Sequence, residues 1–372
     1  MGFLDYYKQF EGMPEEEVNA RLREQAADRK RKALAIVEPI DLSVTTWPEY
    51  PHPAVVNAIT YTARRGLHRY LDRSAGELRS ELAHRHDLPQ ERVAVGDGAA
   101  QLLSSAAYAL MDDPLDELVT PWPSYGLYPV MAHRARAHAV PVPGYGVDAV
   151  LSAVNEHTRL VALCSPNDPT GELVEAAELR RLLEALPERV IVLLDEALVD
   201  FADAQPVDAA LALLEDFPRL LCFRSFSKAW GLAGLRVGYA LGGPGSEPLL
   251  EQLVPELGVN ELAQAGALEA LRSTEHIVAR RVERVRGERA RLLMELRRRD
   301  RIAATPSQAN FVWLEATGLE GAELARRLDR AGVRVAGGGP LGDPKHIRVA
   351  IHDGAATDRL LRALDGALTQ HA

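Results

Sequence analysis

Short apolar runs alternate with helical patterns between about residues 55 and 240. The runs are four to six residues long and rich in branched apolar side chains. Runs of this kind between helices are typical of parallel strands that are covered on both faces. The pattern therefore predicts an α/β fold with a doubly wound, mostly parallel sheet. Its predicted strands are RVAV (92–95), ELVT (117–120), RLVALC (159–164), VIVLLD (190–195) and RLLCF (219–223).

The pattern changes after Pro255. A long predicted helix over about 275–299 has an apolar stripe of valine and leucine, and it carries nine arginines. Because glutamates interleave with these arginines, we interpret the helix as a solvated surface helix and not as an RNA-binding one. The rest of the chain predicts a smaller α+β domain that ends in a helix. Its predicted strands are NFVWLE (310–315), GVRVA (332–336) and HIRVAI (346–351).

The chain length of 372 residues indicates two domains, at roughly 100–200 residues per domain. A single core stops growing near ~250–300 residues, which supports the same division. We predict a large domain over residues 41–255 and a small domain made of residues 1–40 and 256–372. Near the N-terminus, residues 14–35 predict an exposed helix, and residues 37–53, with four prolines, predict an extended connection.

Composition and charge exclude several classes of protein. Apolar residues make up 47% of the chain and charged residues 26%, which is ordinary for a globular protein. The formal charge of −10 opposes a general affinity for nucleic acid phosphates. No apolar run approaches the ~18–20 residues of a spanning helix, and the acidic N-terminus is unlike a secretory signal. We expect a cytoplasmic protein that binds neither nucleic acid nor membrane.

The sequence contains two cysteines, Cys164 and Cys222. Both lie in apolar runs, LVALC and LLCF, that predict buried strands. We therefore predict inert core thiols and neither a disulfide nor a metal site.

The segment FRSFSKAWGLAGLRVGY (223–239) carries the most informative chemistry. Lys228 follows a predicted buried strand and two serines, and Arg236 comes eight residues later. The glycines of the segment allow a close approach of the backbone or a sharp turn. A lone lysine in a loop is usually a solvated charge, but small, hydroxylic and aromatic neighbours suit an amine held in a cleft. Desolvation there lowers the pKa of an amine from ~10.4 and makes it a Schiff-base nucleophile.

Three further segments are each weak signals by themselves. SPNDPTGELV (165–174) directly follows a predicted strand and is typical of a tight turn. Asp195 ends the strand VIVLLD, where ligands bind in open α/β sheets, although a helix cap fits equally well. In VGDGAAQLL (95–103), Gly96 and Gly98 lead into a helix. The first amides of that helix form either an anion site or an ordinary strand-to-helix turn.

The order and spacing of these four segments resemble the class I/II pyridoxal-phosphate aminotransferases of fold type I, particularly the branch that includes the histidinol-phosphate aminotransferases. The resemblance runs from LHRYLDRSAGELRSELA (67–83) to PSQANFVWL (306–314) and IRVAI (347–351), which is most of the chain. SFSKAWGLAGLRVGY (225–239) is its most specific segment. The resemblance implies a homodimeric enzyme, dependent on pyridoxal 5'-phosphate, that moves an amino group between an amino acid and a 2-oxo acid.

The resemblance also implies roles for individual residues. Lys228 would form the Schiff base with the cofactor and then move the proton at the α-carbon of the amino acid. Asp195 would pair with the protonated pyridine nitrogen, and Tyr125 would stack on the pyridine ring. Arg348 would bind the substrate α-carboxylate through a bidentate fork. Tyr70 would reach the phosphate of the other subunit's cofactor, which implies active sites shared across a homodimer.

In the same resemblance, the cofactor phosphate is held by a helix start and by side chains of the lysine segment. Backbone amides donate to the anion at the helix N-terminus, and a guanidinium adds positive charge. The implied phosphate ligands are Gly98, Ala99, Ala100, Ser225 and Arg236.

The chain departs from the family pattern at three positions. The family's asparagine before PTG, which contacts the cofactor's phenolic oxygen, is Asp168 here, with Asn167 one residue earlier, and we assign both to the cofactor site. The family's tyrosine three residues after the pyridine-binding aspartate is Leu198. The arginine that binds the phosphate of histidinol phosphate falls on Ala336, with Arg334 close by. We therefore predict that histidinol phosphate is a poor substrate and that a neutral or aromatic amino acid is a better one.

Two alternatives keep the fold and change the function. The same Schiff base serves decarboxylases, lyases and cyclases, so an enzyme similar to threonine-phosphate decarboxylase is the first alternative. The second is a non-enzymatic regulator that senses the cofactor, which needs an attached DNA-binding domain. The N-terminal ~40 residues are too short for such a domain and carry no recognition-helix pattern, so we expect an enzyme.

Overall fold

The computed structural model describes residues 13–14, 16–24 and 38–369. Two compact units divide the chain, Met1–Ile40 and Asp41–Ala372. In the first unit, residues 16–24 form helix α1, within the helix that the sequence predicts over 14–35. The rest of that predicted helix, apart from Pro14, lies outside the described residues. The division into a large and a small domain near residue 255 stays a prediction.

Two sheets contain the strands of the structure. All the strands predicted from the apolar runs are present, within two residues of their predicted bounds. In residues 38–369 the strands are β1 (Ile40–Leu42), β2 (Val93–Gly96), β3 (Glu117–Trp122), β4 (His138–Pro143), β5 (Thr158–Cys164), β6 (Ile191–Asp195), β7 (Leu220–Ser225), β8 (Gly238–Gly242), β9 (Ile302–Ala304), β10 (Phe311–Ala316), β11 (Val333–Gly337) and β12 (His346–Ala350).

Helices connect these strands and cover them. None of the helices that the structure describes is long and apolar enough to cross a bilayer. After α1 they are α2 (Pro53–Gly66), α3 (Gly76–His86), α4 (Ala99–Leu110), α5 (Leu127–Arg134), α6 (Val147–Ala153), α7 (Ala176–Ala185), α8 (Glu247–Leu253), α9 (Glu261–Ser273), α10 (Glu275–Arg297), α11 (Gly321–Arg330) and α12 (Gly354–Thr369).

The larger sheet has seven strands in the order β2-β8-β7-β6-β5-β3-β4. The strands from β7 to β4 in this order pair in parallel, while β8 is antiparallel to β7 and β2. Leu193 in the middle of β6 belongs to the same buried apolar cluster as Leu102 and Leu103 of α4. Its neighbours Val192 and Leu194 point to the opposite face and are also buried. The predicted α/β fold, with a mostly parallel sheet covered on both faces, is confirmed.

The sequence pattern misses two strands of the larger sheet. The β4 segment HAVPVP contains Pro141 and Pro143, which lack the N–H groups that a central strand needs. β4 forms an edge of the sheet, where this loss is tolerated. The β8 segment GYALG lies in the glycine-rich segment after Lys228, and glycine is rare in strand interiors. Their place in the sheet, and not their local sequence, makes both segments strands.

The smaller sheet has the strand order β1-β11-β12-β10-β9. β12 pairs in antiparallel fashion with both β10 and β11. Arg348 of β12 lies opposite Trp313 of β10 and opposite Ala336 of β11. Residues that lie directly opposite each other share one face of a sheet. Arg348 and Ala336 are therefore neighbours on the same face.

Two arginines of α10 are buried, and the prediction of a solvated arginine face is wrong for them. Arg281 and Arg289 are both less than a tenth exposed, and both donate hydrogen bonds to backbone carbonyl oxygens. Arg289, for example, donates to the carbonyl oxygen of Phe201 at 2.8 Å. It lies between Val285 and Leu292 on the buried stripe of the helix, so its spacing was the signal that could have revealed it.

Cys164 and Cys222 are unpaired and buried in β5 and β7. Burial raises the pKa of both thiols well above the ordinary value. The prediction that both thiols lie in the core is confirmed. Because the thiolate is the reactive form, their raised pKa agrees with inert thiols.

A buried ion pair joins β7 to the residue after β6. Arg224 Nε donates to Glu196 Oε2 at 2.9 Å, and both side chains are less than a tenth exposed. Arg224 Nη1 also donates to Asp208 Oδ1 at 2.6 Å. The guanidinium therefore neutralises a carboxylate that has little access to water.

We predict that Arg224→Met lowers the free energy of unfolding by about 3–5 kcal/mol, because the Glu196 carboxylate stays buried without its partner. Urea unfolding followed by circular dichroism measures the change. Arg181→Met on the exposed surface of α7 is the matched control and should change stability little. Adding Glu196→Gln to Arg224→Met should recover part of the loss, since no charge is then left buried. Equal losses in the two arginine variants would contradict the prediction.

Candidate active site

The segments after three parallel strands meet at one edge of the larger sheet. Cys164 of β5 lies beside Asp195 of β6, and Asp195 lies beside Phe223 of β7. Because these strands are parallel, the segments that follow them leave the sheet on the same side. Three of the four segments with candidate chemistry therefore come together: the turn 165–174, the end of β6, and the segment of Lys228.

The Lys228 amine lies half-buried at this edge. Its Nζ donates a hydrogen bond to Thr45 Oγ1 at 2.5 Å. Burial lowers the pKa of Lys228, and the Arg348 guanidinium lowers it further, while the carboxylates of Asp168 and Asp195 oppose the shift. These groups therefore lie close enough to interact. An amine with a lowered pKa is a better nucleophile and proton carrier near neutral pH.

Thr45 has no signal in the sequence that connects it with Lys228. It lies in the proline-rich segment that the sequence predicts only as an extended connection. In the structure its side chain is buried. Its carbonyl oxygen accepts a hydrogen bond from Asn310 Nδ2 at 3.0 Å, which holds the segment in place. The connection thus supplies a polar group to the site.

Asp195 is buried at the end of β6. Its Oδ1 accepts a hydrogen bond from the backbone N–H of Ala197 at 3.1 Å, and its Oδ2 accepts one from the Tyr128 hydroxyl at 3.2 Å. Burial raises the pKa of Asp195 to about 6, although these hydrogen bonds and the charge of Lys228 oppose the shift. A buried carboxylate of this kind gains from a positively charged hydrogen-bond donor beside it.

Tyr125 lies two residues before α5, and Tyr128 lies in the first turn of that helix. Their rings pack edge to face, with centroids 5.7 Å apart. Tyr128 is fully buried, whereas Tyr125 is 37% exposed and so is not a core residue. Burial raises the pKa of Tyr125, and the nearby carboxylates of Asp195 and Asp168 add to the shift. Sequence reasoning missed Tyr128, although its spacing of three residues from Tyr125 was an available signal.

Asn167 holds the turn after β5 together. Its Oδ1 accepts a hydrogen bond from the Ser124 hydroxyl at 2.7 Å. Its Nδ2 donates to Thr170 Oγ1 at 2.9 Å and to the carbonyl oxygen of Pro123 at 3.0 Å. Both amide hydrogens are therefore used within the chain, which leaves the predicted contact of Asn167 with the cofactor without a free donor.

Asp168 turns towards Arg348. Its Oδ1 lies 2.5 Å from Arg348 Nη1. Arg348 Nη2 donates to the carbonyl oxygen of Ser43 at 3.3 Å, and the guanidinium carbon lies 5.4 Å from the centroid of the Phe311 ring. Within the described residues, Arg348 Nε has no hydrogen-bond partner. The site thus contains a guanidinium whose Nε–H group is not used by the chain.

The start of α4 forms an anion cradle with the lysine segment. The first N–H groups of a helix have no partner within the helix, and its dipole favours an anion there. These groups belong to Ala99–Ala100, after Gly98 with φ +85°. A Cβ at Gly98 would lie 2.6 Å from Arg236 Nη2, and the positive φ at this position favours glycine. Arg236 Nη1 donates to Ser227 Oγ at 3.4 Å, and the Ser227 N–H donates to Ser225 Oγ at 3.0 Å.

Two positions singled out in the sequence stay outside this group. Tyr70 has a relative exposure of 102%, so its side chain contacts nothing that covers it in the single chain. Leu198 is buried after β6 and offers no hydrogen-bond donor. A tyrosine as exposed as Tyr70 is available to a second chain.

The family model described as aminotransferase class I and II matches residues 37–364. An aromatic amino acid aminotransferase from Corynebacterium efficiens is 37% identical over 319 residues, which cover 84% of this chain and 89% of that relative. Another from Nocardia farcinica is 38% identical over 329 residues, which cover 86% and 88%. The similarity extends over most of the chain in each case.

A solved structure is also similar. It is the histidinol-phosphate aminotransferase from Sinorhizobium meliloti in complex with pyridoxal-5'-phosphate, with a TM-score of 0.79 and 26% identity. The match covers 90% of this chain and 92% of that chain. The whole of both sheets lies within the residues that the family model matches.

We predict that Asp195 makes the protein less stable as the pH rises when no ligand is bound. Its pKa of about 6 in the folded chain is above the unfolded value, so its stability contribution is complete at low pH and falls as the pH passes 6. Between pH 4 and pH 7 the loss is on the order of 2 kcal/mol. Asp195→Asn removes this loss, so its stability relative to wild type should rise over the same range.

Urea unfolding at several pH values measures this difference for the ligand-free protein. Asp216→Asn on the surface is the control for removal of a carboxylate. A difference between Asp195→Asn and wild type that stays constant from pH 4 to pH 7 would contradict the prediction.

Proposed function

Because the chain belongs to the class I and II aminotransferase family, we propose that its amino donors are aromatic amino acids. The protein is an enzyme dependent on pyridoxal phosphate that moves an amino group between an amino acid and a 2-oxo acid. The family resemblance of the sequence is thereby confirmed. The relatives named aromatic amino acid aminotransferase support the aromatic donor.

Within this chain, the proposal of an aromatic amino donor rests on the position of Ala336. It lies opposite Arg348 on the neighbouring strand, on the same face of the smaller sheet. A methyl group cannot pair with a phosphate dianion, but it leaves space for an apolar ring. Arg334, two residues away, is exposed and lies 3.6 Å from the carboxylates of Asp41 and Asp329. These contacts favour a substrate without a phosphate.

The residues near the carboxyl ends of β5, β6 and β7 fit pyridoxal phosphate. The cradle of Gly98, the first turn of α4 and Arg236 suits a phosphate dianion. A Cβ at Gly238 would lie 2.3 Å from the backbone nitrogen of Ala99, so β8 also needs glycine beside the cradle. Asp195 suits a protonated ring nitrogen, and the exposed face of Tyr125 suits the ring. When bound, pyridoxal phosphate supplies an electron sink for the α-carbon of the substrate.

In this proposal Lys228 holds the cofactor covalently and carries the proton of the reaction. Its lowered pKa favours the neutral amine, which is the form that attacks a carbonyl and accepts a proton. Thr45 accepts a hydrogen bond from Nζ and orients the amine. The nearby carboxylates of Asp168 and Asp195 favour the protonated amine, so the same group can return the proton.

Arg348 binds the substrate α-carboxylate in this proposal. A guanidinium donates two parallel hydrogen bonds to a carboxylate, which an ammonium group cannot do. The Phe311 ring and the carbonyl oxygen of Ser43 hold the guanidinium on its other sides. The unpartnered Nε supports a ligand at this position.

We also propose that the protein is a cytoplasmic homodimer with shared active sites. Tyr70, Leu67 and Leu257 are highly exposed large side chains. A Cβ at Gly258 would lie 2.8 Å from the Cα of Arg73, so the segment of Leu257 packs closely on the segment of Tyr70. A grouping of exposed apolar side chains supports an interface with a second copy. The unpaired cysteines agree with a reducing compartment.

We predict that borohydride reduction of the purified enzyme fixes the cofactor on Lys228, because this amine has a lowered pKa and lies beside Asp195 and Arg348. Mass spectrometry of the digested protein identifies the modified residue. Lys228→Ala should still bind the cofactor without a covalent bond but should lose turnover. Lys345→Ala, on an exposed loop, is the control and should keep both the covalently bound cofactor and turnover. An adduct on another lysine would contradict the assignment of Lys228 as the lysine that holds the cofactor.

We predict that phenylalanine and tyrosine are better amino donors than histidinol phosphate, with 2-oxoglutarate as the acceptor. A missing charge-assisted contact to the phosphate corresponds to roughly tenfold to hundredfold in kcat/KM. Steady-state kinetics with the three donors measure the preference. Ala336→Arg should raise the efficiency with histidinol phosphate and lower it with phenylalanine. A wild-type enzyme that prefers histidinol phosphate refutes the proposal.

A further inference from the structure

Arg348 already forms an ion pair with a carboxylate of its own chain. The 2.5 Å contact between its Nη1 and Asp168 Oδ1 is mostly shielded from water, with side-chain exposures of 12% for Arg348 and 14% for Asp168. Charges in such a place are screened less than charges on the surface. A substrate carboxylate that approaches this guanidinium therefore meets Asp168 as a like charge.

The donors of Arg348 are also divided. Nη1 contacts Asp168, and Nη2 donates to the carbonyl oxygen of Ser43 at 3.3 Å. Nε is the donor without a partner among the described residues. A bidentate pair with a carboxylate needs two parallel N–H groups. A substrate carboxylate that uses Nη1 as one arm of this pair must therefore share that nitrogen with the Asp168 carboxylate.

Asp168 lies among the other charged groups of the site. Its carboxylate opposes the lowering of the Lys228 pKa and contributes to the raised pKa of Asp195, Tyr125 and the thiol of Cys164. Asp168 therefore interacts with both Lys228 and Arg348. In the proposed function these two groups act on adjacent parts of the substrate, the α-carbon and the α-carboxylate.

The turn itself does not depend on Asp168. Its neighbour Asn167 makes the buried hydrogen bonds that hold the turn to Ser124 and Thr170. The Asp168 side chain bonds instead to Arg348, on a strand 180 residues further along the chain. A substitution at Asp168 therefore tests its contact with Arg348 more than the local fold.

We propose that Asp168 is a specificity-determining residue that competes with the substrate α-carboxylate for Arg348. The inference rests on the proposed function, in which Arg348 binds that carboxylate. Amino acids then bind less tightly than Arg348 by itself would allow, whereas amines that carry a neutral hydroxymethyl group in place of the carboxylate keep their affinity. The enzyme thus discriminates less between amino acids and the corresponding amino alcohols.

Equilibrium binding to the holoenzyme tests the proposal without turnover. The carboxylate probe is 3-phenylpropanoate and the neutral probe is 3-phenylpropan-1-ol, both titrated by calorimetry. Asp168→Ala and Asp168→Asn should each bind the carboxylate about 10–100-fold more tightly than wild type and the alcohol equally well. Glu172→Gln removes a charge from the same loop and is the matched control, expected to change neither affinity.

The two Asp168 variants separate competition from a new hydrogen bond. Tighter carboxylate binding in Asp168→Asn alone would mean that the added amide donor causes the gain, and it would overturn the proposal. Unchanged or weaker carboxylate binding in both variants would also overturn it. Unchanged binding of the alcohol shows that the site has kept its shape.

Arg348→Met distinguishes failure of this inference from failure of the proposed function. In the Asp168→Ala background it should abolish the gain in carboxylate affinity, which supports both. If Arg348→Met weakens carboxylate binding but Asp168→Ala does not tighten it, Asp168 does not compete for Arg348. Arg348 is then still the group that binds the carboxylate. If Arg348→Met leaves carboxylate binding unchanged in both backgrounds, Arg348 is not the carboxylate site, and the inference falls with that part of the proposed function.

Discussion

The parallel pairing of β5, β6 and β7 is the constraint on which the site depends. It aligns the ends of three strands, so that Asp195 lies between the turn of Asp168 and the segment of Lys228. Both faces of this sheet are buried under apolar side chains, which leaves the strand ends as the place for polar groups. The smaller sheet adds Arg348 to the same group, through its contact with Asp168.

Burial makes the charges at this edge depend on one another. Desolvation lowers the pKa of Lys228 and raises that of Asp195, and each charge partly offsets the shift of the other. A cofactor with a protonated ring nitrogen and a phosphate supplies opposite charges to Asp195 and to the cradle at Arg236. Its binding therefore stabilises the folded chain as well as enabling the chemistry. Asp168 and Arg348 differ, since each already neutralises the other within the chain.

Elements with a strong local pattern could be predicted, and elements that depend on their neighbours could not. The continuous apolar runs of β5 and β6 predict strands by themselves, because such a run is typical of a strand with both faces buried. β4 contains two prolines and is a strand because it occupies the sheet edge. Arg289 shows the same limit within α10: its charge indicates a surface residue, but the carbonyl oxygens around it make a buried position favourable.

The fold class, the family and the candidate residues Lys228, Asp195 and Arg236 could be inferred from the sequence alone. Each of the three residues lies in a continuous segment whose residue spacing is itself the signal. Tertiary structure alone decided that Thr45 meets Lys228 across 183 residues and that Asp168 meets Arg348 across 180. Such contacts join elements that no local pattern relates. They arise from how the sheets and their connections pack, since buried polar groups must find partners wherever the packed chain provides them.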